Sequence, residues 1–142
     1  MFKHTVAYVD FNGQQRKEDL YFHLSLPEVT RMEAEIGRPI QEHLEELVER
    51  QELKLLLDFL EKVLLNSYGQ KTSDGRSFHK SPEARSAFEY SQAYAEIFEQ
   101  VLTDKELARK FGEGVADNGK AKKNQVQPSV VQEAPPLEGR SE

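Results

Sequence analysis

The chain contains no cysteine, which excludes disulfide bonds, thiolate metal ligands and cysteine nucleophiles and is typical of proteins from a reducing compartment. Long apolar runs are also missing. No segment approaches the roughly 18 apolar residues of a membrane span, and the amino end lacks the apolar stretch of a signal peptide. We therefore expect a soluble intracellular protein that does not contact a membrane.

Clusters of basic residues are absent as well. The 19 lysines and arginines are outnumbered by 25 aspartates and glutamates, which gives a net charge of −6. A nucleic-acid interface needs clustered lysine and arginine to contact phosphates. The acidic residues are spread along the predicted helices, as on solvated faces, so the composition argues against a nucleic-acid partner.

The common catalytic and metal-binding motifs do not occur in the chain. It has no G-x-x-x-x-G-K-[ST], G-x-S-x-G or H-E-x-x-H pattern, and its four histidines are far apart. Glu42, His43 and Glu46 share part of a helix surface and could bind a metal weakly, but a solvated polar face is the favoured interpretation. We predict no catalytic residue, no metal site, no cofactor and no enzymatic activity.

The stretch that follows Tyr68 contains two glycines and several basic residues, which raises the possibility of a phosphate site. The spacing of its glycines does not match a P-loop. We interpret residues 69–80 as a polar connection between two helices, with a turn at Asp74-Gly75. Tyr68 and Phe78 are expected to fix its two ends to the core.

The first 24 residues predict a β-hairpin with strands at about 2–9 and 16–24. A two-residue turn at Asn12-Gly13 would bring the apolar faces of the strands out of register. A three-residue loop with Gly13 in the left-handed conformation aligns them, so we predict this bulged turn. The aligned face then carries Phe2, His4, Val6, Leu20, Phe22 and Leu24.

Apolar positions that recur every three or four residues predict four to five helices after the hairpin. Capping boxes at Ser25 and Thr103 and the proline after Ser81 mark three of the helix starts, and Gly112 and Gly114 are expected to end the last helix. Whether the helices that meet near residue 50 are continuous stays open. The approximate helix bounds are 26–36, 40–49, 51–67, 82–102 and 104–112.

The predicted fold is therefore α+β and mainly helical, with the N-terminal β-hairpin packed on a bundle of four to five helices. Residues 1–115 are predicted to form one globular domain. Residues 116–142 contain few large apolar side chains and three prolines, so they predict a disordered, flexible tail.

The third and fourth predicted helices carry a second apolar stripe beside the one that faces the core. A domain of this size has few ways to bury both stripes of each helix. We expect a partner helix or a second copy of the chain to cover the surplus, which favours a binding or assembly function. The predicted protein-binding residues are Leu55, Phe59, Tyr90, Tyr94, Ile97 and Phe98.

Three segments resemble the tail assembly chaperones of phages with long, non-contractile tails. They are EDLYFHLSLPEVTRMEAE at 18–35, SYGQKTSDGRSFHKSPEARSAFEYSQAYAEIF at 67–98 and LTDKELARKFGEGV at 102–115. The middle segment gives the most specific similarity. It consists of Ser67-Tyr68-Gly69, Lys71, Asp74-Gly75-Arg76, Phe78, Lys80-Ser81 and Ala93-Tyr94.

This resemblance implies a non-enzymatic helper that coats the tape-measure protein in the host cell cytoplasm. It also implies that the helper keeps this long helical client soluble, recruits major tail protein and leaves before the virion is mature. Self-association is expected in addition. The alternative is a structural virion protein, such as a head-to-tail connector or a minor tail component.

Overall fold

The computed structural model describes residues 1–116, so the predicted tail lies outside the described part except for Ala116. The fold is α+β and mainly helical, which confirms the predicted class. The strands are β1 Phe2–Val9, β2 Gln15–Phe22, β3 Tyr68–Lys71 and β4 Phe78–His79. The helices are α1 Leu26–Ile36, α2 Ile40–Arg50, α3 Leu53–Ser67, α4 Pro82–Glu89, α5 Gln92–Thr103 and α6 Lys105–Ala116.

The N-terminal hairpin has the predicted bulged turn. Its register pairs Phe2 with Phe22, and Gly13 has a φ of 79°, in the left-handed region. The loop closes through the amide of Asp10, which donates to the Gln14 carbonyl over 2.9 Å. The apolar side chains of both strands therefore lie on one face of the sheet, as the register argument required.

A second, short hairpin forms where a polar loop was predicted at 69–80. β3 pairs with β2 on one side and with β4 on the other, so the sheet has the order β1-β2-β3-β4. Gly69 permits this pairing, because a Cβ atom at that position would overlap the Phe78 ring and the His79 carbonyl. The prediction of a plain loop was wrong, since strands this short and polar leave no periodic signal.

Helix α1 begins and ends at the residues that its caps dictate. The Ser25 amide donates to Glu28 Oε1 over 2.7 Å and the Glu28 amide donates to Ser25 Oγ, which completes the predicted capping box. The helices near residue 50 are two separate helices. Gln51 lies between them in the left-handed conformation, with a φ of 58°.

The helix predicted at 82–102 is broken into α4 and α5, so residues 1–116 contain six helices instead of four to five. Ser91 makes the break. Its Oγ donates to the Phe88 carbonyl over 2.7 Å and accepts from the Tyr94 amide over 3.2 Å, which ends one helix and caps the next. The apolar periodicity hid the break because both helices face the same core.

Helix α6 runs to Ala116, so the prediction that Gly112 and Gly114 end it was wrong. Both glycines lie within the helix and serve close packing instead. A Cβ atom on Gly112 would lie 2.6 Å from the Cα atom of Gln41 in α2, and one on Gly114 would lie 2.8 Å from the Phe2 side chain.

The core lies between the inner face of the sheet and the helices. Phe22 is at its centre, with its ring centroid 5.5 Å from that of Phe111, 5.8 Å from that of Phe88 and 5.9 Å from that of Tyr68. Apolar burial of this kind is the main stabilising term of a small domain. Helix α3 supplies a broad buried face with Leu56, Phe59, Leu60, Val63, Leu64 and Leu65.

Candidate protein-binding surface

Two of the six predicted binding residues lie in the core. Ile97 is 0% exposed and Phe59 is 8% exposed, and the ring of Phe59 packs edge-on against His43 of α2 at 4.6 Å. The surplus apolar stripes of the sequence are therefore partly covered within the chain. Neither side chain is available to a partner in this conformation, and a charge placed at Ile97 would disturb the fold before it tested any interface.

Tyr94 and Phe98 are half-buried on α5 and belong to a row of rings. Tyr68 stacks on Phe88 at 4.0 Å, Phe88 contacts Tyr94 at 5.2 Å, and Tyr94 contacts Phe98 at 5.5 Å. We call Tyr68, Phe88, Tyr94 and Phe98 the aromatic row. Burial, followed by the nearby Glu61 and Glu89, raises the pKa of Tyr94 to about 12, so its hydroxyl stays protonated at neutral pH.

Leu55 and Tyr90 are the exposed members of the predicted set, at 55% and 73%. Leu55 lies on the first turn of α3, and Tyr90 lies at the break between α4 and α5. Exposed leucine and tyrosine side chains are available for contacts with another protein. Leu53 on α3 is also exposed, although it is not among the predicted binding residues.

An open cleft of about 690 Å³ separates α1 from α4, with the end of α3 beneath it. Its apolar floor is formed by Leu24, Met32, Leu65 and Tyr68, of which the first three are nearly fully buried and Tyr68 is half-buried. The sequence carries no local signal for this cleft, because its lining comes from separate segments that each have the pattern of ordinary core. Tyr68 is the one shared element, since it belongs both to the floor and to the aromatic row.

Two ion pairs cross the cleft and neutralise four of its charges. Lys80 Nζ lies 2.8 Å from Glu28 Oε1 and also donates to the Asn66 carbonyl over 3.0 Å. Lys62 Nζ lies 3.1 Å from Glu35 Oε1. Although burial raises the pKa of Glu28, its hydrogen bonds with Lys80 and with the Ser25 backbone lower that pKa overall. Glu28 therefore stays ionised while it both caps α1 and holds Lys80.

Three further charged residues line the cleft: Arg31 on α1, and Arg85 and Glu89 on α4. The two arginines are exposed and make no ion pair with any other residue of 1–116. Glu89 directly precedes Tyr90, so the α4 wall leads to that exposed ring. Leu55 lies on the same side of α3 as the lining residue Lys62. It precedes Lys62 by seven residues, which is two helical turns or about 10 Å along the helix axis.

Leu55 and Tyr90 do not line the cleft, although Tyr90 follows the lining residue Glu89 in the chain. The aromatic row extends from the cleft floor toward α5. We call the cleft together with Leu55 and Tyr90 the binding surface. An apolar floor with charged walls and exposed apolar residues near it is the arrangement that receives an amphipathic helix. Leu55 and Tyr90 are the predicted residues that remain exposed, and the cleft was not predicted from the sequence.

The possible weak metal site at Glu42, His43 and Glu46 is occupied by other contacts. Arg38 donates to His43 Nδ1 over 3.0 Å, and Glu46 pairs with both Arg38 and Arg50. No group of three metal-ligating side chains is present within residues 1–116. In the same part of the chain, no helix has both the length and the apolar character to cross a membrane.

Comparison with known proteins identifies the family. A family model described as phage tail assembly chaperone matches residues 1–138. Neither the curated proteins nor the solved structures gave a match. The matched range includes every element that forms the binding surface, and the family agrees with the one that the three sequence segments resemble. The chain therefore belongs to the phage tail assembly chaperone family.

Proposed function

We propose that this tail assembly chaperone binds the tape-measure protein in the host cell cytoplasm and helps to recruit major tail protein while the tail tube is built. It acts by binding and not by catalysis. The observation that supports the proposal is an open cleft with an apolar floor, together with the exposed Leu55 and Tyr90, in a chain whose family assists tail assembly.

A helical client matches the chemistry of the binding surface. The cleft volume of about 690 Å³ lies within the range of protein pockets that receive several large side chains. An amphipathic helix inserts apolar residues spaced at three, four and seven positions into such a groove. Burial of one apolar side chain contributes about 1.5 to 3 kcal/mol, so a few anchors on the floor suffice for reversible binding.

The charged walls fit the same client. The Glu28–Lys80 and Glu35–Lys62 pairs keep the walls polar, while Arg31 and Arg85 remain available to carboxylates on the polar face of a helix. A polar rim around an apolar centre is the usual layout of a protein interface. It favours one orientation of the client without making the free chaperone insoluble.

A second copy of the chain and major tail protein are the further partners that we propose. Two surfaces outside the cleft support them. Leu53 is exposed at the start of α3, and β1 is an edge strand of the sheet, with Lys3, Thr5, Ala7 and Val9 exposed along it. An unpaired edge offers backbone groups to a strand from another chain.

The test is co-expression of the full chain with the tape-measure protein, followed by measurement of their affinity. Each of the substitutions Tyr90→Ser and Leu55→Ser is expected to weaken binding about tenfold, because loss of an interface anchor costs roughly 1 to 2 kcal/mol. Phe11→Ser is the matched control, since Phe11 is an exposed ring at the tip of the N-terminal hairpin. Equal losses in all three variants, or none in any, would contradict the assigned surface.

A further inference from the structure

The sheet has two edges that differ in length. One edge is β4, which has only two residues, Phe78 and His79. The other edge is β1, which has eight residues and pairs with β2 along its whole length. Folded proteins protect a sheet edge by keeping it short, by charged side chains or by proline. The edge at β4 is protected by its length, whereas β1 is long, contains no proline and has Lys3 as its one lysine, arginine or acidic residue.

The hydrogen-bond pattern of the N-terminal hairpin shows which backbone groups of β1 have no strand beside them. The Asp10 amide donates to the Gln14 carbonyl, and in an antiparallel pair the residues that bond across the pair alternate from such a bond. Every second residue of β1 therefore bonds to β2. The residues between them direct their N–H and C=O groups away from the hairpin, and no other backbone group of residues 1–116 bonds to them. These residues are Lys3, Thr5, Ala7 and Val9.

The surroundings of this edge are open and electrically neutral. The side chains of the same four residues are exposed, and helix α5 contacts the opposite face of β1, where Gln100 Oε1 lies 2.8 Å from His4 Nε2. Residues 2–22 contain three lysines or arginines and three aspartates or glutamates, in a chain whose net charge is −6. The approach of a second copy along β1 therefore brings no like net charges together.

The pattern of unpaired groups selects one antiparallel register between two copies of β1. Hydrogen bonds form where residues with outward-directed backbone groups lie opposite each other. All four such residues are used when Lys3 lies opposite Val9 of the second copy and Thr5 lies opposite Ala7 of the second copy, and a shift by two residues in either direction loses a pair. This register supplies about eight backbone hydrogen bonds. It sets no two lysines opposite each other, and it has the two-fold symmetry of most homodimers.

We propose that two copies of the chain pair along β1 in this register, which joins their two four-stranded sheets into one. The inference rests on the proposed self-association and assigns it to a surface. Addition of a strand to a sheet edge is stabilised mainly by backbone hydrogen bonds, whereas an amphipathic helix binds in a groove. The edge of β1 and the cleft therefore serve different partners, and a dimer leaves the cleft of each copy available to a helical client.

Proline substitution in the full chain tests the edge directly. Ala7→Pro removes an N–H group that points away from β2, so the hairpin keeps its hydrogen bonds while pairing with a second copy is blocked. Lys17→Pro is the matched control, because Lys17 lies opposite Ala7 in the hairpin and its N–H group points away from β1, where β3 pairs only with Tyr21 and Phe22. In sedimentation velocity we expect Ala7→Pro to raise the dimer dissociation constant at least about tenfold and Lys17→Pro to leave it within about twofold.

Disulfide formation measures the register, since the chain has no cysteine of its own. Lys3→Cys and Val9→Cys are made as separate variants and mixed under mild oxidation. Opposed residues of a hydrogen-bonded pair have Cα atoms about 5.5 Å apart, which suits a disulfide, whereas identical positions of the two copies lie roughly 20 Å apart along the strands. We expect the mixed disulfide to form at least about tenfold faster than either symmetric one. Leu53→Cys mixed with Val9→Cys is the control, because Leu53 is exposed but lies outside the sheet.

The outcomes distinguish a failure of this inference from a failure of the proposed function. A dimer that Ala7→Pro does not weaken, or that Lys17→Pro weakens equally, would overturn the pairing along β1 while self-association through another surface stands. Symmetric disulfides as the main products would overturn the register and the antiparallel pairing. A wild-type chain that stays monomeric at every concentration would overturn self-association and the pairing together. Binding of the tape-measure protein is measured separately with Tyr90→Ser and does not depend on any of these results.

Discussion

At the scale of single residues, Gly112 shows how a helix interior can require glycine. Its Cα faces Gln41 of α2, where an added Cβ atom would lie 2.6 Å from a backbone Cα atom. Gly112→Ala improves helix propensity by up to about 1 kcal/mol, but the overlap forces the two helices apart at a cost of roughly 1 to 3 kcal/mol. We expect a net loss of about 1 kcal/mol in urea unfolding, and stabilisation would contradict the close α2–α6 contact.

His43 couples stability to pH. Burial and then the nearby Arg38 lower its pKa, so the folded chain holds the ring neutral while the unfolded chain protonates it near pH 6.5. The contribution of His43 to the free energy of unfolding is therefore fully present above pH 6.5. It decreases as the pH falls below that value, until the ring in the folded chain is protonated as well. His23, whose pKa burial also lowers, contributes in the same direction.

Urea unfolding between pH 7.5 and 5.5 measures this dependence, because most carboxylates remain ionised in that range. The variant His43→Gln is expected to be less stable at pH 7.5, since it loses the contact with Phe59, but to show a smaller decrease on acidification. If the free energy of unfolding had the same slope against pH in the wild type and the variant, His43 would not be the source of the pH dependence.

At the scale of secondary structure elements, Ser91 separates α4 from α5, and this role can be tested by substitution. Its Oγ caps α5 and its removal leaves the Tyr94 amide without a partner, which costs about 1 kcal/mol. Ser86→Ala is the control within the same segment, because Ser86 is exposed on α4 and its side chain makes no cap. Thermal unfolding is expected to show a loss of stability in Ser91→Ala but not in Ser86→Ala. Equal losses in the two variants would show that the Ser91 cap does not cause the break.

The sequence predicts an element well where its apolar pattern and its turn or cap residues indicate the same structure. In the N-terminal hairpin, apolar alternation and Gly13 agree on one register, and at α1 the capping box agrees with the apolar period. At Ser91 the capping residue is the one sequence signal for a break between helices. The apolar pattern continues through this position and therefore predicts a single helix. β3 pairs with β2 through Tyr21 and Gly69, and β4 pairs with β3. The pairing of β3 with β2 joins distant segments, and such a contact leaves no local pattern.

At the scale of the whole molecule, the fold buries some of the predicted binding residues and leaves others exposed. Leu55 and Tyr90 remain exposed, whereas Phe59 is covered by α2 and Ile97 by the assembled core. Periodicity identifies a second stripe on a helix but not the neighbour that packs on it. The cleft is a property of the assembled chain, since α1, α3 and α4 meet there only after folding.

We expect the whole molecule to associate reversibly with its partners, and reversibility would separate a chaperone from a built-in virion component. The chain has a complete core of its own, and its exposed apolar side chains are few around a polar-rimmed cleft. Permanent assemblies bury larger and more apolar interfaces, whereas contacts of limited area are typical of transient complexes.

We therefore expect the chain to be abundant in infected cells before lysis and absent from purified particles. Quantitative mass spectrometry of both samples tests this, with major tail protein as the internal standard for particle recovery. Copy numbers in the particle comparable to those of other tail components would support a head-to-tail connector or minor tail component instead. Because dissociation from a small interface is fast relative to particle purification, a transiently bound chaperone is lost while a built-in component is retained.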